Sequence, residues 1–225
     1  MVRKRSGTEP DLFAIPAAPK PAPPAYRSLT AERQDAADCR RCPLYRNATQ
    51  TVFGEGPAHA AVVFVGEQPG DQEDLAGKPF VGPAGAMFDR ALAEAGIDRS
   101  LVYVTNAVKH FKFEPRGKRR LHKKPNAYEI ERCSWWLDKE LRLVKPRLAV
   151  ALGATAARAL LGKVTTISRI RGDFLKLPER EADGFVTVHP SSLLRAPDEA
   201  SREREYARFV ADMKAIGRHI PDVRA

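Results

Sequence analysis

Four short apolar segments, separated by stretches with helical periodicity, constrain the fold of this chain most. They occupy residues 60–66, 101–108, 147–153 and 185–188. None alternates between polar and apolar residues, so each is expected to be a strand buried on both faces. Helices are predicted at about residues 85–95, 126–144, 154–161 and 200–216, with a short one leading into Cys39. This order predicts an α/β fold: a three-layer sandwich whose central, mainly parallel four-stranded sheet is flanked by helices.

In a sheet of this kind, ligands bind beyond the carboxyl ends of the strands. Those ends are predicted at Gly66 and Glu67, at residues 106–110, at Gly153, and at His189. We therefore expect the functional residues to come from these four places.

The N-terminal residues differ in composition from the rest of the chain. Six prolines fall within residues 1–28, so we expect a disordered Pro-rich tail there and a single domain over residues 29–225. No apolar run reaches the roughly 18 residues that a membrane span requires, and no apolar segment of a secretory signal follows the basic start. Three cysteines fit a reducing compartment better than a disulfide framework, which predicts a cytoplasmic protein.

One segment holds most of the positive charge. Residues 109–124 contain eight Lys or Arg, two His and one Glu, in a chain of formal net charge +10. Such a loop either binds a polyanion, with nucleic acid the expected one, or is a solvated basic surface. Within it, the neighbouring cations favour the neutral, nucleophilic form of His122.

The three cysteines form a possible metal site. Cys39 and Cys42 are spaced as Cys-x-x-Cys, and Cys133 lies far downstream. His110 is the natural fourth ligand because it ends a strand shortly before the helix of Cys133. The alternative interpretations are a zinc site, a redox motif, or an ordinary core cysteine at position 133.

Three further segments carry polar or aromatic residues in turns. The turn at residues 66–71 contains Glu67, and its glycines allow another molecule to approach the backbone. Phe80 lies in a Gly- and Pro-rich loop, where an aromatic ring can stack on a base or fill a core position. His189 begins the segment HPSSLLR, which suits either insertion into a groove or the start of a helix.

Taken together, these motifs resemble the uracil-DNA glycosylase superfamily, and within it the iron–sulfur branch called family 4. The resemblance rests on CRRCPL, VFGEGP, GEQPGDQEDLAGKPFVGPAG, YVTNAVKH, LGATAARALLG and HPSSLLR, and it covers nearly all of the globular part. It implies the uracil-DNA glycosylase-like form of the fold, a [4Fe-4S] cluster and uracil-containing DNA as the partner.

Two departures from the usual family-4 pattern point to its UdgX-type subgroup. His110 stands where that family usually has a fourth cysteine, and extra residues, including KRRLH ending at His122, precede Cys133. Gln68, in the segment GEQPGD, is also typical of this subgroup. The hallmark of the subgroup is a KRRIH loop whose histidine becomes covalently attached to DNA after uracil release. Leu121 replaces the isoleucine, which is a conservative apolar exchange.

The resemblance implies four groups of site residues. His122, Glu67 and His189 are the catalytic candidates. Uracil binding is expected from Gly66, Gln68, Asp71, Phe80 and Asn106. DNA binding is expected from Lys109, Lys118, Arg119, Arg120, Lys123, Ser191, Leu193 and Arg195. The cluster ligands are expected to be Cys39, Cys42, His110 and Cys133.

The function implied is a uracil-DNA glycosylase of the N-glycosidic bond hydrolase class that turns over once. It would flip and excise uracil and then join His122 to C1′ of the abasic site. The partner would be single-stranded and also double-stranded DNA, and the protein a monomer. Two alternatives are a conventional multi-turnover glycosylase whose basic loop only binds phosphate, and a non-catalytic iron–sulfur protein that binds nucleic acid.

Overall fold

The computed structural model describes residues 28–178 and 180–220. Seven strands are present in this part of the chain: β1 (Val62–Gly66), β2 (Tyr103–Asn106), β3 (Phe113–Arg116), β4 (Arg119–His122), β5 (Leu148–Leu152), β6 (Phe174–Lys176) and β7 (Asp183–Thr187). The same residues form eight α-helices: α1 (Leu29–Ala37), α2 (Asp71–Ala76), α3 (Pro83–Glu94), α4 (Ala127–Val144), α5 (Ala154–Leu161), α6 (Ile167–Ile170), α7 (Pro190–Leu193) and α8 (Glu199–Gly217). The predicted tail falls almost wholly on residues 1–27, which lie outside the described part.

The central sheet confirms the predicted fold class. Its strand order is β2-β1-β5-β7-β6, and the first four strands are parallel. It has five strands where four were predicted, because β6 pairs antiparallel with β7 at one edge. This strand is only three residues long and partly exposed, so its sequence lacks the continuous apolar run that marks the other four.

Helices cover both faces of the sheet, as the three-layer prediction requires. In β1, Val62 and Phe64 face one core with α3 and α8, whereas Val63 and Val65 face a second core with α4 and α5. The helix boundaries follow local signals. Asn126 caps α4 in a reciprocal capping box, in which its side chain accepts from the N–H of Glu129.

The basic segment forms an antiparallel hairpin, although the sequence predicted a loop. β3 pairs with β4, and Gly117 takes the first position of a two-residue turn with φ of 58°. Successive side chains of a strand point to opposite faces. Arg120 and His122 therefore share one face of β4, and Arg119 and Leu121 share the other. No helix within residues 28–178 and 180–220 is long and apolar enough to cross a membrane.

Candidate active site

A cavity of about 730 Å³ opens at the carboxyl ends of the parallel strands. Several residues from distant parts of the sequence line it, including Glu67, Gln68, Phe80, Asn106, His122 and His189. Ser191 and Arg195 also contribute, whereas Gly66 and Asp71 do not line it. The convergence follows from the topology, because parallel strands bring their carboxyl ends to one edge.

The floor of the cavity depends on close packing over Gly66. This glycine is the register partner of Asn106 on the neighbouring strand. A Cβ atom at position 66 would lie 2.3 Å from Oδ1 of Asn106 and 2.9 Å from Cζ of Phe80. Glycine therefore lets the amide of Asn106 and the ring of Phe80 meet at one point of the cavity.

A buried carboxylate that the sequence analysis missed holds the loop of Phe80. Glu73 accepts hydrogen bonds from the N–H of Gly70 at 3.1 Å and of Gly82 at 2.9 Å. The loop needs this support because Phe80 has φ of 58°, a conformation that is uncommon for a bulky side chain. Glu73 also lines the cavity.

His189 lies directly after β7 and caps α7. Its Nδ1 lies 2.8 Å from Oγ of Ser191 and accepts from the N–H of the same residue at 3.2 Å. Since Nδ1 accepts, the proton of the neutral ring is on Nε2. Burial lowers the pKa of His189 to about 4, so the ring is neutral at physiological pH. This geometry supplies a neutral N–H donor to the cavity.

Glu67, at the end of β1, joins the two sides of the site. Its Oε1 lies 3.3 Å from Nε2 of His122, and its Oε2 accepts a hydrogen bond of 2.5 Å from Oγ1 of Thr155. Burial raises the pKa of the Glu67 carboxyl, but the interactions with His122 and Thr155 outweigh burial and leave that pKa below its ordinary value. Glu67 is therefore an ionised carboxylate next to the imidazole.

Gln68 fastens the base of the hairpin to the sheet. Its amide nitrogen donates to the carbonyl groups of Lys112 and Lys123, each at 3.1 Å, and its Oε1 accepts from the N–H of Lys112. These two residues flank β3 and β4, so one side chain holds both ends of the hairpin. Gln68 was predicted to bind uracil; in the structure its amide is engaged in fixing the segment that carries His122.

Arg120 fastens the middle of the hairpin to α2. Its guanidinium donates to Asp71 at 2.5 Å and to the buried Asp74 at 2.6 Å. The same group lies over the rings of Phe111 and Phe113, at 5.4 and 5.1 Å from their centroids. Arg120 was predicted to bind DNA and Asp71 to bind uracil, and in this structure the two side chains bind each other outside the cavity lining.

Two further predicted DNA contacts are corrected by burial. Lys109 is fully buried, and its ammonium group donates to Glu140 at 2.5 Å and to the carbonyl of Asn106 at 2.7 Å. Leu193 is 2% exposed and packs in the core beside α3 and α8. The neighbouring Leu194 is 43% exposed. Because an inward-facing leucine cannot also contact solvent, Leu194 is the side chain of this pair that is free for another molecule.

The other predicted DNA-binding side chains lie at the surface. Lys118 and Arg119 are exposed near the hairpin turn, and Lys123 is exposed after β4, where it pairs with Glu114 at 2.6 Å. Arg195 is also exposed and lines the mouth of the cavity with Ser191. These cations lie on both the hairpin and the α7 side of the site.

The three cysteines and His110 gather in a separate buried cluster near the root of the hairpin. Cys39, Cys42 and Cys133 share a core with Trp136 and are each less than 10% exposed. Trp136 donates its indole N–H to Sγ of Cys39, and the backbone N–H of Lys109 donates to Sγ of Cys133, both at 3.1 Å. These donors suit sulfur atoms that carry negative charge.

Two observations bear on whether this cluster of side chains fits an iron–sulfur group. Nδ1 of His110 is buried and has no hydrogen-bond partner among the described residues, while its Nε2 lies 3.0 Å from Oγ1 of Thr51. Burial lowers the pKa of His110 to about 4 and raises that of Cys133 to about 12. The imidazole is thus in the neutral form that a ligand requires, and the thiol ionises only when a metal compensates for burial.

No three His, Cys, Asp or Glu side chains within residues 28–178 and 180–220 converge as ligands of a single metal ion do. In a [4Fe-4S] cluster each ligand binds a different iron, so its ligands are spread around the whole group. The unpaired imidazole nitrogen and the hydrogen bonds to sulfur fit such a group.

Comparison with known proteins identifies the family. The sequence profile of the uracil DNA glycosylase superfamily matches residues 53–214. The chain is 34% identical over 190 residues to the type-4 uracil-DNA glycosylase of Archaeoglobus fulgidus, covering 82% of this chain and 89% of that protein. It is 38% identical over 176 residues to the type-4 enzyme of Thermotoga maritima, covering 77% and 84%. The chain therefore belongs to the uracil DNA glycosylase superfamily.

Proposed function

We propose that this protein is a uracil-DNA glycosylase of the UdgX type, which excises uracil and then keeps the abasic DNA on His122. The observation that carries the proposal is the position of His122 beside Glu67 in the same cavity as Asn106 and His189. A hairpin that only bound phosphate would need cations, but it would not need an imidazole at the cavity.

Uracil recognition is assigned to Asn106 and Phe80. The carboxamide of Asn106 offers a donor for O4 of uracil and an acceptor for its N3–H. In this orientation the amide meets a donor and an acceptor of cytosine in the reverse order, so selectivity requires that the orientation be kept. Phe80 offers a ring at the same point of the cavity, on which a flipped base can stack. A nucleotide must leave the helical stack to reach this depth.

Base release is assigned to His189. When the C1′–N1 bond breaks, its electron pair leaves with uracil, and the sugar becomes an oxocarbenium ion. The Nε2–H of His189 donates a hydrogen bond to the departing uracil anion, which stabilises charge that develops only in the transition state. Solvent then protonates the base.

Capture is assigned to His122. A ring nitrogen that carries a lone pair attacks C1′ and forms a C–N bond, while the other nitrogen carries the proton. The product is an imidazolium, whose positive charge the Glu67 carboxylate stabilises. The other two bases that line the cavity are already engaged: both oxygens of Glu73 accept from backbone N–H groups, and Nδ1 of His189 accepts from the N–H of Ser191. Neither is free to activate water against the new bond, so the adduct should persist.

DNA binding is assigned to the exposed cations of the hairpin and to Arg195, which lines the cavity. Lys118, Arg119 and Lys123 on the hairpin side and Arg195 on the α7 side would bind phosphates, which makes affinity dependent on salt. The exposed Leu194 replaces Leu193 as the side chain that would occupy the gap left by the flipped base.

The iron–sulfur site is assigned to Cys39, Cys42, His110 and Cys133. A bound [4Fe-4S] cluster would supply a covalent tie between the Cys-x-x-Cys segment, the root of the hairpin and α4. Cys133 and His110 would hold this root, while Gln68 and Arg120 hold the rest of the hairpin. Anaerobic purification should yield a coloured protein with iron and inorganic sulfide, and Cys133→Ala should lose both. A colourless preparation that contains zinc instead would contradict this assignment.

The function is tested with single-stranded DNA that contains one uracil. We expect free uracil together with a slow-migrating protein–DNA band on a denaturing gel, and neither with thymine in the same position. The His122→Ala variant should release uracil and form no band. If the wild type releases uracil without forming any band, the protein is a conventional multi-turnover glycosylase. Absence of both would favour a binding protein without activity.

A further inference from the structure

Thr155 on α5 lies next to the site and has none of the roles assigned above. Thr155 is 2% exposed and lies in the first turn of α5. Its hydroxyl donates to Oε2 of Glu67 at 2.5 Å, and Thr155 is the only partner of that oxygen among the hydrogen bonds of the described residues. The other oxygen, Oε1, is the one next to His122.

We infer that Thr155 is a positioning residue, which pins one oxygen of Glu67 so that the other is directed at His122. This inference rests on the proposed role of the Glu67–His122 pair. A glutamate at the end of a strand has a carboxylate that rotates freely unless one oxygen is held. With Oε2 held by Thr155, rotation is blocked, and Oε1 stays 3.3 Å from the imidazole.

The position of Thr155 in its helix explains why its hydroxyl is available. In the middle of a helix a threonine commonly donates to the carbonyl four residues earlier. For Thr155 that residue is Ala151, which belongs to β5, whose backbone pairs within the sheet. The β-branched side chain also has few rotamers in a helix, so the direction of its hydroxyl is well defined.

The Thr155 hydroxyl and the charged groups around Glu67 together set the pKa of the Glu67 carboxyl. His122 on β4 and His189 after β7 are the titratable groups that act on Glu67 electrostatically, and α5 contributes the uncharged hydroxyl of Thr155. A hydrogen bond to a carboxylate favours its ionised form. Loss of the Thr155 hydroxyl should therefore raise the pKa of the Glu67 carboxyl, even with both histidines in place.

The test compares Thr155→Val, which keeps the shape and loses the hydroxyl, with Thr155→Ser, which keeps the hydroxyl. The full-length proteins are reacted with uracil-containing single-stranded DNA, and adduct formation is timed on denaturing gels. Loss of a hydrogen bond to a charged group predicts about 10-fold slower adduct formation for Thr155→Val. Thr155→Ser should stay within about twofold of the wild type, because its hydroxyl can still reach the carboxylate.

A second readout distinguishes positioning from packing and does not depend on activity. The pKa of the Glu67 carboxyl is followed by NMR titration of protein with ¹³C-labelled glutamate side chains, with Glu67→Gln used for assignment. We expect this pKa to rise in Thr155→Val and to return in Thr155→Ser. An unchanged pKa, or equal impairment of both variants, would overturn the inference. Failure of the proposed function is visible separately, because it appears in the wild type as the absence of uracil release or of the adduct.

Discussion

The two histidines of the cavity are held in different ways. His189 lies at the end of a central strand, its Nδ1 is bonded to Ser191, and its ring is neutral because it is buried. His122 lies on a hairpin outside the central sheet, and half of its side chain is exposed. Its position depends on the polar contacts of Gln68 and Arg120 rather than on a core.

This difference indicates that base release and DNA capture are separable. The strand ends carry the groups assigned to release, and the hairpin carries the group assigned to capture. Release has to come first, because His122 can bond to C1′ only when the base leaves. Changes at His189 should therefore affect both steps, whereas changes in the hairpin should affect mainly capture.

The largest expected effect is that of His189→Ala. Removal of a donor that stabilises developing charge typically costs about 10² to 10³ in rate. Uracil release should fall by this factor, and the adduct should fall with it, since no reactive sugar forms. Single-turnover assays of free uracil and of the denaturing-gel band measure both. His59→Ala, an exposed histidine away from the cavity lining, is the control. Adduct formation at the wild-type rate in His189→Ala would contradict the order of the two steps.

Gln68→Ala should separate the two steps. It removes the side chain that joins the two ends of the hairpin, and it leaves the N–H of Lys112 and the carbonyl of Lys123 without this partner. We expect adduct formation to slow about 10-fold or more, because three hydrogen bonds worth about 0.5 to 1.5 kcal/mol each are lost. Uracil release should change less. Gln72→Ala is a matched control, because Gln72 is exposed on α2. An equal loss of both steps would show that Gln68 acts on uracil itself.

The exposed cations near the hairpin turn should change DNA affinity without changing the chemistry. Lys118→Ala combined with Arg119→Ala should reduce the salt-dependence slope for single-stranded DNA by about 1.4, or about 0.7 for each cation. Binding is measured by fluorescence anisotropy over a range of salt concentrations. Lys176→Ala, on the opposite side of the central sheet, should leave the slope unchanged. A slope unaffected by the double substitution would show that the hairpin turn does not contact the DNA.

The smallest effect is expected from pH. The neutral donor form of His189, the group assigned to base release, is lost only as pH falls through about 4. In the His122→Ala variant, uracil release should therefore vary by less than about twofold between pH 5.5 and 8. A steep fall below pH 7 would indicate that an ordinary, solvent-exposed histidine controls release.

Much of this arrangement could be predicted from the sequence, because strand ends are visible in apolar runs. Glu67 and His189 follow such runs and Asn106 is the last residue of β2, and parallel topology brings the three together. Charge was a weaker guide. The basic segment indicated cations, but Lys109 is buried with Glu140 and Arg120 is bonded to two aspartates, since ion pairs between distant residues leave no local pattern.

The remaining side chains were missed for similar reasons. Glu73 acts on the cavity through two hydrogen bonds and Thr155 through one, each from the first turn of a helix. Acids and hydroxyls are common at such positions for capping alone. Leu193 and Leu194 are adjacent and chemically identical, and only the start of α7 decides which one is buried.

Peptide mapping identifies the residue that bonds to DNA, which we propose to be His122. The wild-type protein is reacted with uracil-containing single-stranded DNA, the DNA and protein are digested, and the modified peptide is sequenced by mass spectrometry. We expect a deoxyribose-derived mass on His122 and on no other residue. A modification on a lysine of the hairpin, or none on a protein that has released uracil, would contradict this proposal.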